Sequence, residues 1–464
     1  MKISFVKSAK EAGKKAPKET LRVSVGSKNK DEIVKENGIK TLYLKSEEKM
    51  NLRKLFLLVR KMVALAKGAR AEKIAFNLND WKLVKISDQE LGELIGTQLD
   101  FANYEFTEYK TPPEDGFPLI KEVFVIDAST EAQKAILKGH AITEEVNKTR
   151  SLANTPGGDM TPTILAEKAK EAVKGWRVKV TILGEKEMER EKMQAILSVG
   201  RGSEEESKFI IMEYWGAGKS KKPVVLVGKG VTFDTGGLNI KTDNFMYTMH
   251  MDMSGGAAVI HTLVLAAKLG LKKNIVAIVP AVENMPGGES YRPGDVLKSL
   301  SGKTIEVLNT DAEGRVILAD GLYFAKRYNP KLVVDVATLT GAIMVALGNR
   351  ASGIFTRDTK LENLTRELGE RSGDYVWPMP LWEESEAEIK GTFGDYANLG
   401  KQGRYGGAIA GAVFLLQFTK DYPKDCPWMH IDIAGTMLPT DDEFLAKGAK
   451  GSPIKLLLSL IEKY

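Results

Sequence analysis

Apolar residues in the first part of the chain follow helical and strand periods in turn. Over residues 51–67 they recur at the i, i+3, i+4, i+7 spacing of one helix face. The residues on this predicted face are Leu55, Leu58, Val59, Met62 and Ala66. Short β-rich runs, such as LRVSV at 21–25 and EVFVID at 122–127, predict strands. The alternation predicts a small α/β domain over residues 1–128, in which no catalytic constellation is found.

A polar, helix-favouring stretch begins at Ser129 and contains no proline before the NTPGG run at 154–158. Ser129 and Thr130 are residue types that start helices, and the Pro-Gly break is of the kind that ends them. The stretch therefore predicts a long connecting helix over residues 129–155.

Beyond this helix, near-continuous apolar runs predict strands that are buried on both faces. The runs are VVLVG at 224–228, NIVAIVPAV at 274–282 and LVVDVATL at 332–339. Helical segments such as 261–269 separate them. We predict an α/β fold: the small N-terminal α/β domain is joined by the long helix to a larger C-terminal α/β catalytic domain, residues 156–464. Its mixed central sheet is covered by helices.

Composition narrows the possible chemistry. One cysteine and four scattered histidines exclude a disulfide framework, a Cys-rich zinc module and an H-E-x-x-H zinc site, so any metal ligands must be mainly oxygen. The net charge of +6 is spread along the chain, and no nucleic-acid partner is expected. The first residues lack the apolar core of a signal peptide, and no apolar run has transmembrane length. We expect a cytoplasmic protein without a membrane partner.

Ionisable residues interrupt the most apolar part of the chain. They are Lys229, Asp234, Lys241, Asp252, Asp311, Glu313 and Arg315. Several carboxylates in one buried place are costly unless divalent cations balance them, and strand ends are where α/β sheets bind ligands. The lysines and the arginine could position an anion or stabilise an oxyanion. A surface ion-pair network in the loops is the alternative.

Four segments together resemble the leucine aminopeptidase (cytosol aminopeptidase) family of two-metal peptidases. They are VGKGVTFDTGGLNIK at 227–241, HMDMSGGAAV at 250–259, ENMPGGESYRPGDV at 283–296 and NTDAEGR at 309–315. The resemblance extends over roughly residues 145–464, whereas the N-terminal domain carries no matching motif.

The resemblance implies two divalent metal ions, Mn²⁺ or Zn²⁺, per chain. The implied ligands are Lys229, Asp234, Asp252, Asp311 and Glu313, with Asp234 and Glu313 bridging the ions. The lysine would bind as a neutral amine, since nearby dications and burial lower its pKa. Lys241 would polarise the scissile carbonyl, and Arg315 would hold a bicarbonate ion that serves as general base.

The implied activity is removal of N-terminal residues, preferably Leu- or Met-like, from peptide substrates by a metal-bridging hydroxide. The implied side-chain pocket consists of Met249, Thr338, Gly341, Ala434 and Met437, for which plain core packing remains an alternative. The resemblance also implies a homohexamer. An additional or substitute role as a DNA-binding regulator stays open, whereas a catalytically silent scaffold is disfavoured because no ligand position is lost.

Overall fold

The structure, a computed structural model, describes residues 1–7, 11, 19–403 and 405–464. The chain divides into two compact units. The first unit comprises Met1–Asn147 and Pro439–Gly448, and the second comprises Lys148–Leu438 and Ala449–Tyr464. The sequence predicted boundaries at residues 128 and 155 and did not assign residues 439–448 to the first unit. A segment of this length is too short to show a periodic pattern.

The first unit is built on a six-stranded sheet with the order β1-β6-β5-β2-β4-β3, in which only the β3–β4 pair is antiparallel. The strands are β1 (Lys2–Val6), β2 (Leu21–Val25), β3 (Glu32–Glu36), β4 (Ile39–Leu44), β5 (Lys73–Asn77) and β6 (Glu122–Ile126). Within residues 19–154, the helices are α1 (Leu52–Gly68), α2 (Asp88–Asn103) and α3 (Thr130–Asn154), whose first part belongs to this unit. The unit also has 3-10 turns at Leu78–Trp81 and Asp441–Glu443.

Helix α1 confirms the predicted amphipathic pattern. It begins after Asn51, whose side chain accepts a hydrogen bond from the Lys54 backbone N–H. All five predicted apolar positions of the helix are buried, and they join the side chains of the sheet in one core. The helical spacing therefore identified the face that packs.

The second unit contains a nine-stranded mixed sheet, with the path β16-β15-β18-β14-β9-β11-β8-β7 and β10 paired to β11. Its strands are β7 (Val178–Leu183), β8 (Lys208–Trp215), β9 (Val224–Gly228), β10 (Gly230–Asp234), β11 (Asn274–Asn284), β14 (Leu332–Ala337), β15 (Ser352–Phe355), β16 (Val376–Pro378) and β18 (Trp428–Asp432). A separate small sheet joins β12 (Val296–Lys298), β13 (Thr304–Glu306) and β17 (Tyr396–Ala397).

Helices cover both faces of the large sheet, as the continuous apolar runs predicted. In β9, Val224 and Leu226 join one buried cluster, and Val225 and Val227 join the other. The α-helices after α3 are α4 (Pro162–Ala172), α5 (Glu185–Glu191), α6 (Gln194–Gly200), α7 (Ser254–Lys268), α8 (Glu313–Ala325), α9 (Gly341–Leu347), α10 (Thr359–Ser372), α11 (Gly407–Leu416) and α12 (Ile454–Lys463). Further 3-10 turns are Asp243–Met246, Met249–Met251, Lys326–Tyr328, Glu383–Ile389 and Ala434–Thr436.

Among the helices that the structure describes, none combines the length and the apolar character that crossing a bilayer requires.

The close packing of α2 against α3 gives a stability prediction for the first unit. A Cβ atom added at Gly96 would lie 2.1 Å from the backbone oxygen of Ile136, so the two helices would have to separate. We expect Gly96→Ala to lower the free energy of unfolding by about 1–3 kcal/mol. Gly68→Ala is the matched control, since nothing lies within 4 Å of its added Cβ. Calorimetric melting of both variants checks this, and equal melting temperatures would contradict it.

Candidate metal centre

The parallel strands of the large sheet bring charged residues to one edge. Strands β9 and β10 both run parallel to β11, and Lys229 lies at the break between them. Asp234 is the last residue of β10, and Asp252 follows the 3-10 turn Met249–Met251. Glu313 is the first residue of α8. Residues far apart in sequence thus meet where the strands end.

The carboxylates of Asp234, Asp252 and Glu313 form the centre of this cluster. One oxygen from each lies within 4.8 Å of the others, and all three side chains are buried. Asp311 is less enclosed, with a side chain 33% exposed, and it reaches the cluster through an ion pair with Lys241. A buried set of acidic oxygens at this spacing matches the ligand chemistry of divalent cations.

Two lysines face the carboxylates. Lys229 Nζ lies 2.7 Å from an oxygen of Asp252 and 2.7 Å from an oxygen of Glu313. Lys241 Nζ lies 2.8 Å from Asp234 Oδ2 and also contacts Asp311. The ammonium groups partly balance the acidic charge, so the cluster is a network of ion pairs in this structure.

The charge state of Lys229 follows from its neighbours. Burial alone would lower the pKa of this amine, but the attraction of Asp252, Glu313 and Asp234 outweighs burial and raises the pKa above its ordinary value. Lys229 is therefore an ammonium here. The neutral amine expected from the sequence requires cations close enough to offset the same carboxylates.

Three of the four carboxyl groups resist ionisation. Burial raises the pKa of Asp234, Asp252 and Asp311, whereas at Glu313 burial is outweighed by Lys229 and Lys241, which lower the pKa. Burial raises the pKa of Asp252 to about 8, with further contributions from Glu313 and Asp234, although Lys229 opposes the shift. Burial, Asp234 and Glu313 likewise raise the pKa of Asp311 to about 6. The ionised cluster is therefore short of positive charge, which is the condition that favours cation binding.

Hydrogen bonds orient the acidic side chains. Thr338 Oγ1 donates to Asp252 Oδ1 at 2.6 Å. Asp234 Oδ1 accepts from the Gly236 backbone N–H at 2.9 Å and from Asn284 Nδ2 at 2.8 Å. Gly236 has a φ of +88°, and a Cβ there would lie 2.4 Å from the Asn239 backbone oxygen. The turn after Asp234 therefore requires glycine at this position.

Arg315 is buried beside the carboxylates. Among the described residues, its Nε and Nη1 atoms have no hydrogen-bond partner. Burial lowers the pKa of this guanidinium to about 10, against the attraction of Glu313 and Asp432. A buried cation with free N–H groups is suited to holding a small anion.

A cavity of about 770 Å³ connects these groups. Every candidate catalytic, metal-binding or substrate-binding residue predicted from the sequence lines it. They are Lys229, Asp234, Lys241, Met249, Asp252, Asp311, Glu313, Arg315, Thr338, Gly341, Ala434 and Met437. The sequence reasoning missed other lining residues, among them Ile240, Phe245, Leu339, Thr340, Met344 and Val345. It also missed the role of Asn284, because one asparagine within the ENMPGG run carries no periodic or charge signal.

Comparison with known proteins agrees with this geometry. The model of the cytosol aminopeptidase family, catalytic domain, matches residues 147–458. A probable cytosol aminopeptidase of Nitrosospira multiformis is 43% identical over 388 residues, which cover 82% of this chain and 71% of the relative. A probable cytosol aminopeptidase of Paraburkholderia phymatum is 44% identical over 361 residues, which cover 77% of this chain and 70% of the relative.

Solved structures are similar over almost the whole chain. The bottromycin maturation enzyme BotP in complex with Mn superposes with a TM-score of 0.86 at 27% identity, covering 96% of this chain and 99% of that one. A mutant of tomato leucine aminopeptidase superposes with a TM-score of 0.87 at 27% identity, covering 100% of this chain and 97% of the tomato chain. The predicted two-part α/β fold is therefore confirmed. From the family match, the close relatives and the shared fold, the chain belongs to the cytosol aminopeptidase family and is an aminopeptidase.

Proposed function

We propose that the chain is a two-metal aminopeptidase that removes Leu- or Met-like residues from the N-termini of peptides. The observation that carries this proposal is the buried group of Asp234, Asp252 and Glu313, whose ligand oxygens lie within 4.8 Å of one another. Such a group is stable in its ionised form when strong positive charge is close by. BotP, a protein of the same fold, has been solved in complex with Mn, which supports metal binding by this fold.

Five residues would hold the two ions, Mn²⁺ or Zn²⁺. They are Lys229, Asp234, Asp252, Asp311 and Glu313, with Asp234 and Glu313 shared between the ions. When bound, divalent ions supply a hydroxide nucleophile near neutral pH and polarise the scissile carbonyl. The four carboxylates and Lys229 would keep the ions fixed, and the free α-amine of the substrate would bind at the ions, which would restrict cleavage to the peptide's N-terminus.

Lys241 is proposed to stabilise the oxyanion. Burial lowers the pKa of its amine, but Asp234, Glu313 and Asp311 outweigh burial and keep the pKa above its ordinary value. The side chain is therefore a charged donor that lines the cavity. A fixed ammonium beside the scissile carbonyl favours the transition state more than the substrate, because negative charge develops on that oxygen.

Arg315 is proposed to bind bicarbonate, which would act as general base. Support comes from its two buried nitrogen atoms, Nε and Nη1, which have no partner among the described residues. A bicarbonate held there would accept a proton in the cavity, where the sequence-predicted site offers no histidine.

The proposed side-chain pocket is apolar and open. Met249, Ala434 and Met437 are apolar, only partly buried and line the cavity, and Ala434 and Met437 also pack against the hydrophobic clusters beneath it. A Cβ placed on Gly341 would have no atom within 4 Å, so this residue leaves room for a ligand. An uncharged slot of this kind favours the unbranched or γ-branched side chains of Met and Leu.

The homohexamer and the cytoplasmic location remain predictions, and light scattering measures the first. The role as a DNA-binding regulator likewise remains a prediction that a salt titration of binding to duplex DNA would test.

Metal dependence is the first prediction of this function. Protein stripped of metal by a chelator should no longer cleave leucine p-nitroanilide, and Mn²⁺ or Zn²⁺ should restore cleavage. The reason is that the carboxylates themselves supply no hydroxide nucleophile, whereas bound divalent ions do. N-acetyl-leucine p-nitroanilide is the control, since its blocked amine cannot bind. Equal rates with and without metal, or cleavage of the blocked substrate, would contradict the proposal.

Two substitutions separate metal binding from catalysis. Asp311→Asn should weaken metal binding by about tenfold or more, because it removes a ligand charge. Lys241→Ala should retain the metal and lower kcat by about 10²–10³, because it removes an oxyanion donor. Metal content by mass spectrometry and steady-state kinetics measure both effects.

Asp295→Asn is the matched control, because Asp295 does not line the cavity. Its carboxylate pairs with the partly exposed Arg201 side chain at 3.1 Å and accepts from the Arg292 backbone N–H at 3.0 Å. This variant should match the unchanged chain in metal content and rate. Unaltered metal binding in Asp311→Asn, or unaltered kcat in Lys241→Ala, would overturn the role assigned to that residue.

A further inference from the structure

We infer that Asn284 is a positioning residue that fixes the orientation of the Asp234 carboxylate and ties it to the loop that carries Asp311. The inference rests on the proposed metal-dependent function. Asn284 is the last residue of β11 and is completely buried. Its side-chain Nδ2 donates to Asp234 Oδ1 at 2.8 Å and to the backbone oxygen of Thr310 at 3.0 Å. One amide group thus joins two segments that are distant in sequence.

The orientation of this amide is determined by its acceptors. Both groups that face Nδ2 are oxygen atoms that can only accept, so a reversed amide would place its own oxygen against two acceptors. The Oδ1 atom instead faces Gly237, where an added Cβ would lie only 2.8 Å away. Asn284 is therefore held in one orientation and uses both of its N–H groups.

The effect of the amide is to select which oxygen of Asp234 faces the cavity. Asp234 Oδ1 is engaged by Asn284 and by the Gly236 backbone N–H, and Oδ2 is left to face the Lys241 ammonium. Without the Asn284 contact, Oδ1 keeps only the Gly236 donor, so the orientation of the carboxylate is less firmly fixed. A carboxylate proposed to bridge two ions must present its oxygens in a fixed direction, and groups that orient ligands commonly change metal affinity about 10–100-fold when removed.

The backbone of Asn284, unlike its side chain, stabilises the turn that follows Asp234. Its backbone oxygen accepts from the backbone N–H of Thr235 at 3.0 Å and from Thr235 Oγ1 at 2.8 Å. These bonds hold the turn after Asp234 and do not depend on the side chain. Substituting the side chain therefore leaves the local path of the chain in place.

Tyr291 provides a matched control. Its hydroxyl donates to the same Thr310 backbone oxygen, at 2.7 Å, and the side chain is buried. In the part of the chain that the structure describes, the Tyr291 hydroxyl makes no hydrogen bond to a carboxylate of the cluster. Tyr291→Phe therefore removes a bond to the Asp311 loop while leaving the Asp234 contact untouched.

The test is calorimetric titration of chelator-treated full-length chain with Mn²⁺, together with melting of the metal-free proteins. Asn284→Leu and Asn284→Ala both remove the two donors, and the smaller alanine avoids any clash. We expect both to weaken Mn²⁺ binding about 10–100-fold with metal-free melting temperatures close to that of the unchanged chain. Tyr291→Phe should bind Mn²⁺ within about threefold of the unchanged chain, since it leaves the hydrogen bond from Asn284 to Asp234 in place.

Three results would overturn the positioning role. They are unchanged Mn²⁺ affinity in both Asn284 variants, an equal loss in Tyr291→Phe, and unfolding of both Asn284 variants, which would make the side chain necessary for folding. Failure of the unchanged chain to bind Mn²⁺ is a distinguishable result, because it overturns the proposed metal-dependent function and the role of Asn284 with it.

Discussion

Repulsion among buried carboxylates is the constraint on which the rest of the site depends. Asp234, Asp252 and Glu313 place ligand oxygens within 4.8 Å of one another in the interior of the second unit. Two like charges about 4 Å apart repel by about 4 kcal/mol at the effective dielectric constant usual for proteins. The two lysines lower this cost, yet burial, together with repulsion from Glu313 and Asp234, still raises the pKa of Asp252 to about 8. Strongly charged cations are the simplest partners for such a group.

The fold creates this concentration of charge through the arrangement of its strands. Parallel strands end at one edge of the large sheet, so residues that follow different strands meet there. Glu313 begins α8, where the positive end of the helix dipole favours an acidic side chain. Asp252 lies just before α7 and receives a hydrogen bond from Thr338, which follows β14. Each carboxylate is thus supported by a different element.

Much of this arrangement could be predicted from the sequence. The apolar period of α1 identified its buried face, and the continuous runs of β9, β11 and β14 identified strands covered on both sides. The charged residues that follow these strands line one cavity, because parallel neighbouring strands end side by side.

The remaining features depend on three-dimensional neighbours. Asn284 orients Asp234 through a contact 50 residues away in sequence, which no local pattern encodes. The charge of Lys229 depends on the balance between burial and three carboxylates, so residue type alone does not determine it. The return of residues 439–448 to the first unit is set by packing, since the segment is too short for a periodic signal.

Anomalous diffraction from a crystal soaked with Mn²⁺ would show whether metal ions bind among these carboxylates. We expect two manganese peaks between Asp234 and Glu313, with the Lys241 amine moved away from Asp234 Oδ2. Diffraction that shows no peak among these carboxylates, with Lys229 and Lys241 still paired to them, would contradict this expectation.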